Sequence, residues 1–222
     1  MSVKIDRIIH SRRRTIALVI EHDGSVTVRA PLRMSARAIQ DFVEKHTGWL
    51  EKKQAEMSSI VPEPIKQYQP GENFLFLGGE YSLEIVQDQR KKLVLDDHFK
   101  LTESARKNAE LVFQNWYRKQ ALQIITERVK YFADKYDLHF AKIRITSART
   151  RWGSCSSKGT LSFSWRLILT PMETVDYVVV HELAHTVHHN HSKRFWSLVE
   201  KIMPDYKEQR KRLRQYGEQA LM

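Results

Sequence analysis

Residues 178–196, VVVHELAHTVHHNHSKRFW, place five of the chain's ten histidines within eleven positions, directly behind an apolar run. Val178, Val179, Val180, Leu183, Ala184 and Val187 give one apolar side to a helix that begins near Glu173. Residues four apart on such a helix are separated by about 40° around its axis, so His181 and His185 project from one face, one turn apart. Glu182 stands one position round from His181. This is the H-E-x-x-H pattern, two metal-binding imidazoles with a carboxylate beside them to serve as general base. The fold must bury this helix and give its polar groups partners, because polar groups set among valines are expensive to bury alone.

Three protein ligands and one open position make the usual catalytic zinc site. His188, His189, His191 and Glu200 are the candidates for the third. On an unbroken helix a third consecutive turn points away from an ion held by the first two, which sets His188 aside. His191 lies six positions after His185, about 240° round, so it joins only if the helix ends first. Asn190 is read as that end, because Asn tolerates the left-handed backbone found past helix C-termini. Ser192 then caps a second helix from Lys193 to about Met203, ahead of Pro204. The spacing favours His191, with Glu200 on the following helix as the alternative. His188 and His189 suit a helix end, where imidazole interacts well with the dipole, and are given no catalytic role. Cys155 is read as a small packing residue.

The rest of the chain reads as a β-rich portion with one helix over residues 1–100, then a helix-and-strand portion over 101–222 that carries the H-E-x-x-H helix. TIALVIEHDGSVTVRAP forms two strands around Asp23-Gly24. Residues 35–57 form one amphipathic helix, capped by Ser35, with Ile39, Phe42, Val43 and Leu50 inward and Trp49 in the core. IVPEPIKQYQPGE is a loop or linker, and FLFLGGEYSLEIV a second hairpin about Gly78-Gly79. Residues 102–140 lack Gly and Pro and form one long helix or two, covering the metal helix from one side. KIRIT and TLSFSWRLIL alternate as strands, with SCSSKG as the turn between them. They border the same cleft, where an edge strand would hold an extended peptide by backbone pairing. Arg149, Arg151 and Trp152 are the candidate substrate-binding residues there, with Arg166 as a further cation.

Charge bounds the partners. A formal net charge of +11 favours anionic ones: nucleic acid, nucleotides or acidic protein segments. Arg12, Arg13 and Arg14 form one basic cluster; Lys207, Arg210, Lys211 and Arg214 form a second along one helical face, which reads equally as solvated surface. No nucleic-acid-binding module is readable. No apolar run approaches the ~18 residues of a membrane span. The N-terminus lacks a secretory apolar core, and a single cysteine fits a reducing cytoplasm.

The stretch RTRWGSCSSKGTLSFSWRLILTPMETVDYVVVHELAHTVHHNHSKRFW closely resembles the YgjP-like metallopeptidase family, which is related to the WLM and SprT groups. The shared parts are R-W-G-S-C-S, the segment SWRLIL, D-Y-V-V-V-H-E-L-A-H and N-H-S-x-x-F-W. RRRTIALVIEHDGSVTVRAP and the helix after it resemble the family more loosely. Ser164 departs from the asparagine frequent before this tryptophan. The resemblance implies a zincin-like α+β metallohydrolase domain, Zn2+ held by His181, His185 and His191, and Glu182 as catalytic base. Related domains include DNA-associated proteases and proteins discussed as nucleotide phosphohydrolases, and fold analogy does not choose between them. The leading expectation is a cytoplasmic zinc-dependent peptidase acting on protein or peptide. A metal-dependent nucleotide pyrophosphatase is the alternative, and a non-catalytic zinc scaffold the third.

Overall fold

The computed structural model describes residues 5–21, 24–59, 66–87 and 89–220, with the side chains of 56–59 and 217–220 outside that description. Asp23 of the expected turn and residues 60–65 of the expected linker therefore lie outside the described residues. The chain divides into two compact units, Met1–Glu63 and Pro64–Met222.

In the first unit β3 (Val26–Pro31) runs between β1 (Arg7–Ser11), parallel to it, and β2 (Ala17–Ile20), antiparallel. The β2–β3 pairing is the one the alternating pattern predicts. Two helices follow, α1 (Ala36–Lys45) and α2 (Thr47–Ser59). Ser35 caps α1 as expected, accepting from the Ala38 N–H. The single helix expected over 35–57 is interrupted at His46, whose Nδ1 donates to the Phe42 carbonyl at 2.7 Å. Thr47 and Gly48 follow, two residues of low helix propensity, so nothing local resists the break. The break also changes which side chains point inward: Trp49, expected in the core, is 49% exposed, while Ile39, Val43 and Leu50 are buried with Val26, Val28 and Ala30.

The second unit opens with a four-stranded sheet. Its strands are β4 (Asn73–Phe76), β5 (Gly79–Val86), β6 (Leu93–Leu95) and β7 (Phe99–Thr102), in the order β4-β5-β7-β6. Phe76 pairs with Gly79, so the β4–β5 turn is Leu77-Gly78, one residue earlier than expected. Both residues have positive φ, 49° and 79°, which matches the hairpin turn that follows strand twist. Leu77 N–H donates to the Ile168 carbonyl at 2.7 Å, and a Cβ on Gly78 would stand 2.8 Å from Pro171 Cγ. The hairpin tip thus rests on the segment that leads into the H-E-x-x-H helix.

After a 3-10 turn (Glu103–Asn108), α3 (Ala109–Tyr136) runs as one helix and ends at Asp137 in the left-handed conformation. Its buried residues are Ala109, Phe113, Tyr117, Ala121, Ile125, Val129, Phe132 and Ala133. A stripe at steps of four drifts by about 40° per step, so it winds round the helix and serves two partners in succession. Near its start Phe113 packs on Phe74 and Phe99 of the sheet, at ring distances of 4.3 and 5.1 Å. Further along, α3 meets α4 (Met172–Ala184), where Arg128 donates both Nε and Nη2 to Asp176 at 2.6 and 2.7 Å. The first of these contacts groups β4–β7 with α3, whereas a division at residue 100 would separate them.

A three-stranded sheet lies between α3 and α4 in sequence: β8 (Lys142–Thr146), β9 (Gly153–Cys155) and β10 (Thr160–Ser164), in the order β8-β10-β9. KIRIT and TLSFS are both strands, but they pair in parallel; the hairpin partner of β10 across SSKG is β9, whose Ser154 and Cys155 fall in the expected turn. The strand expected over 160–169 stops at Ser164, and Trp165–Leu169 form a 3-10 turn. Two helices complete the unit, α5 (Lys193–Ile202) and α6 (Tyr206–Ala220). Helix α4 is buried on nearly every side, through Val175, Tyr177, Val178, Val179, Val180, Leu183 and Ala184. That burial, not propensity, holds a valine run in helical form.

Candidate metal centre

Helix α4 ends at Ala184, earlier than the expected stop at Asn190, with His185 as its C-terminal cap. Beyond it the chain tightens into turns: Thr186 and Val187 N–H groups donate to the Leu183 and Ala184 carbonyls. The early stop leaves Val187, expected on the apolar face, 51% exposed. It also gives the chain room to reverse before α5. Asn190 Oδ1 accepts from the Ser192 N–H at 3.2 Å, which fixes that reversal, and Ser192 occupies the N-cap position of α5 without a side-chain cap bond.

The reversal brings His191 back over the first turn of the motif. His181, His185 and His191 each offer a ring nitrogen, all within 4.8 Å of one another. His191 Nε2 stands 3.1 Å from His181 Nε2. Two imidazole nitrogens on one tetrahedral zinc, each bound at about 2.0–2.1 Å, stand about 3.3–3.4 Å apart, so the pair is already spaced as a metal edge. His185 Nδ1 donates to the His188 carbonyl at 3.0 Å, which leaves its Nε2 lone pair for a ligand and supplies the support metal-binding imidazoles need. The nearby carboxylates are engaged elsewhere: Asp176 holds Arg128, and Glu200, the alternative third ligand, lies 3.6 Å from Lys207 Nζ. Glu200 is also outside the cluster.

Phe195, fully buried, forms the floor, with ring distances of 4.9, 4.5 and 4.9 Å to His181, His185 and His191. Trp196 stacks on His191 at 5.7 Å. The F-W pair that carried the resemblance thus fixes the imidazoles by contact. Burial, reinforced by His185, His191 and Arg210, pushes His181 down to about 3, and burial likewise lowers His185. Both rings are therefore neutral at physiological pH, the form that binds metal. The donor set and its spacing fit a zinc-type ion. His181 Nδ1 is buried with no hydrogen-bond partner among the described residues.

Glu182 is 6% exposed. Burial lifts its carboxyl up to about 8, with Arg151 pulling the other way. Strand β9 runs against it: a Cβ on Gly153 would lie 2.6 Å from Glu182 Oε1. Only a glycine lets the edge strand approach the carboxylate this closely, a constraint invisible in R-W-G-S-C read alone. A cleft of about 330 Å³ opens here, lined by Trp152, Tyr177, His181, Glu182, Arg210 and Arg214 among others. Of the expected substrate-binding residues, Trp152 lines it and Arg151 acts on Glu182. Arg149 does not line the cleft; it is exposed and repels Arg166, whose guanidinium lies over the Trp165 ring at 4.4 Å. Cys155 donates to its neighbour Ser156, and burial, then Glu182, raises its thiol above the ordinary range. Arg210 and Arg214 are residues of the cleft that motif reading does not reach, because they come from a basic helix outside the motifs; Tyr177, which also lines it, lies within D-Y-V-V-V-H-E-L-A-H.

Comparison with known proteins gives a family whose model, described as "YgjP-like, metallopeptidase domain", matches residues 14–216. Among solved structures, the crystal structure of the metallopeptidase zymogen of Pyrococcus abyssi abylysin aligns with 44% of this chain and 99% of its own, at 24% identity and a TM-score of 0.40. No curated protein matches.

Proposed function

The chain belongs to the YgjP-like metallopeptidase family, and on that ground we propose that it is a zinc-dependent peptidase of zincin-like architecture with Glu182 as its general base. The observation that carries this reading is the convergence of three imidazoles beside one buried carboxylate. His181, His185 and His191 would hold the ion. Zinc in that position supplies Lewis acidity, making water ionisable near neutral pH and polarising a carbonyl.

The remaining work falls to the chain. Glu182 takes the proton of the attacking water and returns it to the leaving amine, and its burial tunes it toward the pH at which it must do both. Arg151 draws the proton affinity of Glu182 down, and a cation held by the three histidines would do the same. Strand β9 is an edge strand, so its free backbone groups pair with an extended peptide and lay the scissile bond beside Glu182. Tyr177 lines the cleft with its hydroxyl pushed up to about 12, chiefly by burial, and so remains a donor for the developing oxyanion.

Two measurements test the reading. Metal analysis should show zinc lost from His181→Ala, His185→Ala and His191→Ala and retained in Glu200→Ala; the reverse result for the last two would move the third ligand to the glutamate. Zinc-loaded protein should release peptides from a casein-type substrate and leave a nucleoside triphosphate panel intact. Phosphate release with intact casein would replace the peptidase by the pyrophosphatase.

A further inference from the structure

Helix α6 was legible in sequence only as a basic amphipathic segment. In the structure Tyr206 and Gln209 are buried, which anchors its inner face. The next positions on that face, Arg210, Leu213 and Arg214, form part of the cleft wall. Arg210 and Arg214 are one turn apart, so their guanidinium groups act on a common region. The Arg210 guanidinium lies 4.9 Å over the Trp196 ring, and Trp196 in turn stacks on Tyr206 at 5.4 Å. A guanidinium held by its face against a ring keeps its N–H edge for a bidentate anion.

Neither arginine has a carboxylate partner among the described residues. The acids of α5, α6 and the turn between them are committed elsewhere: Glu208 to Arg212 at 2.6 Å, Asp205 to the Gln209 amide at 2.9 Å, and Glu200 to Lys207. Both arginines act electrostatically on Tyr177, and Arg210 on His181, which places their charge inside the site's field. Two cations beside a site built for a further cation repel it, and an anion between them relieves that repulsion. Plain solvated lysines and arginines, such as Lys211 on this helix, do not line the cleft.

We propose that Arg210 and Arg214 form an anion-recognising subsite that selects peptides carrying a glutamate or aspartate side chain close to the cleaved bond. This rests on the peptidase reading and names its substrate class. A carboxylate from the substrate fills the position that the protein's own acids leave open, while β9 holds the peptide backbone and Leu213 with Trp152 covers its apolar parts.

The test uses the full-length zinc-loaded protein and pairs of otherwise neutral peptides differing only in Glu against Gln, the substituted position being walked along the peptide. Binding is read by fluorescence anisotropy and hydrolysis by kcat/KM. At one position near the cut, Glu should be favoured over Gln by roughly ten-fold in both readouts, as a charge-assisted contact gives, and added salt should shrink the difference. Arg210→Gln/Arg214→Gln should bring the ratio toward one and bind zinc at least as tightly as the parent. Arg214→Gln alone, an exposed change outside the Trp196 stack, should lower the ratio part of the way, and Lys211→Gln should leave it unchanged. Equal treatment of Glu and Gln peptides by an enzyme that cuts both overturns the inference and leaves the peptidase standing. A preference that survives the double substitution overturns it as well. Preferential, arginine-dependent binding without cleavage upholds the subsite and removes the peptidase. Hydrolysis of nucleoside triphosphates, with acidic peptides neither bound nor cut, overturns both.

Discussion

Glu182 and Gly153 act as a pair, a carboxylate and the missing side chain that makes room for it. Glu182→Gln keeps volume and removes basicity, so zinc should remain while hydrolysis falls by roughly two to four orders of magnitude; metal analysis beside activity checks this, and zinc loss would make Glu182 part of the metal's support. Gly153→Ala should also abolish activity in a folded, zinc-loaded protein, because its Cβ would stand 2.6 Å from Glu182 Oε1; near-normal turnover would mean β9 yields. The burial of Glu182 has a further consequence in the metal-free protein. Its folded value of about 8 lies above its ordinary 4.5, so the folded chain binds that proton more tightly. The resulting stability is complete below 4.5, shrinks as pH rises toward 8 and is gone above. Denaturant melts of metal-free protein should therefore show the parent losing stability relative to Glu182→Gln as pH is raised through that window. A pH-independent difference would show the carboxyl to be hydrated.

At the scale of elements, α4 is held where α3 and the β4–β5 hairpin meet it. The fork between Arg128 and Asp176 is its polar fastening on α3. Burial raises the Asp176 carboxyl despite the guanidinium, while the same bond raises Arg128: the pair is held together at some desolvation cost to the acid. Arg128→Ala leaves a half-buried carboxylate without its partner and uncovers Tyr131 and Phe132, over which Arg128 lies at 4.7 and 5.2 Å. The loss should be about 2 kcal/mol, below the 3–5 kcal/mol of a fully buried pair because both groups keep some water. Arg128→Met/Asp176→Leu should recover most of it, as replacing both charges removes the desolvation cost. Thermal melts read both, and a single substitution as stable as the double would show that the fork contributes nothing.

At the scale of the whole molecule, the two units have separate cores, and every residue of the candidate centre belongs to the second. Residues 66–222 expressed alone should fold cooperatively and bind one zinc, by circular dichroism and metal analysis. A fragment that binds no metal would show that the first unit is needed to form the centre. The family match over residues 14–216 spans both units, so the first unit belongs to the family's plan as well.

Local chemistry was readable in the sequence wherever neighbours in the chain decide the outcome. The four-residue spacing of His181 and His185, the Ser35 cap, the β2–β3 alternation and the helical character of α3 all depend on contacts within a few residues; that α3 is one helix and not two is decided by the structure. The identity of the third imidazole followed from the angle at which a helix must stop, although that stop falls at Ala184 and not at Asn190. Other features depend on residues far apart in sequence. Whether Trp49 or Leu50 is buried turns on which side of α2 meets the core of Val26, Val28 and Ala30, and it is Leu50 that does. The parallel pairing of β8 with β10 and the 3-10 turn at 165–169 are set by packing on α3 and α4, since an alternating apolar run satisfies either form. The position of Arg210 and Arg214 on the cleft wall is the clearest case: charge and helical period are properties of the segment, but which face of a basic helix meets a cavity is decided by the core it docks against.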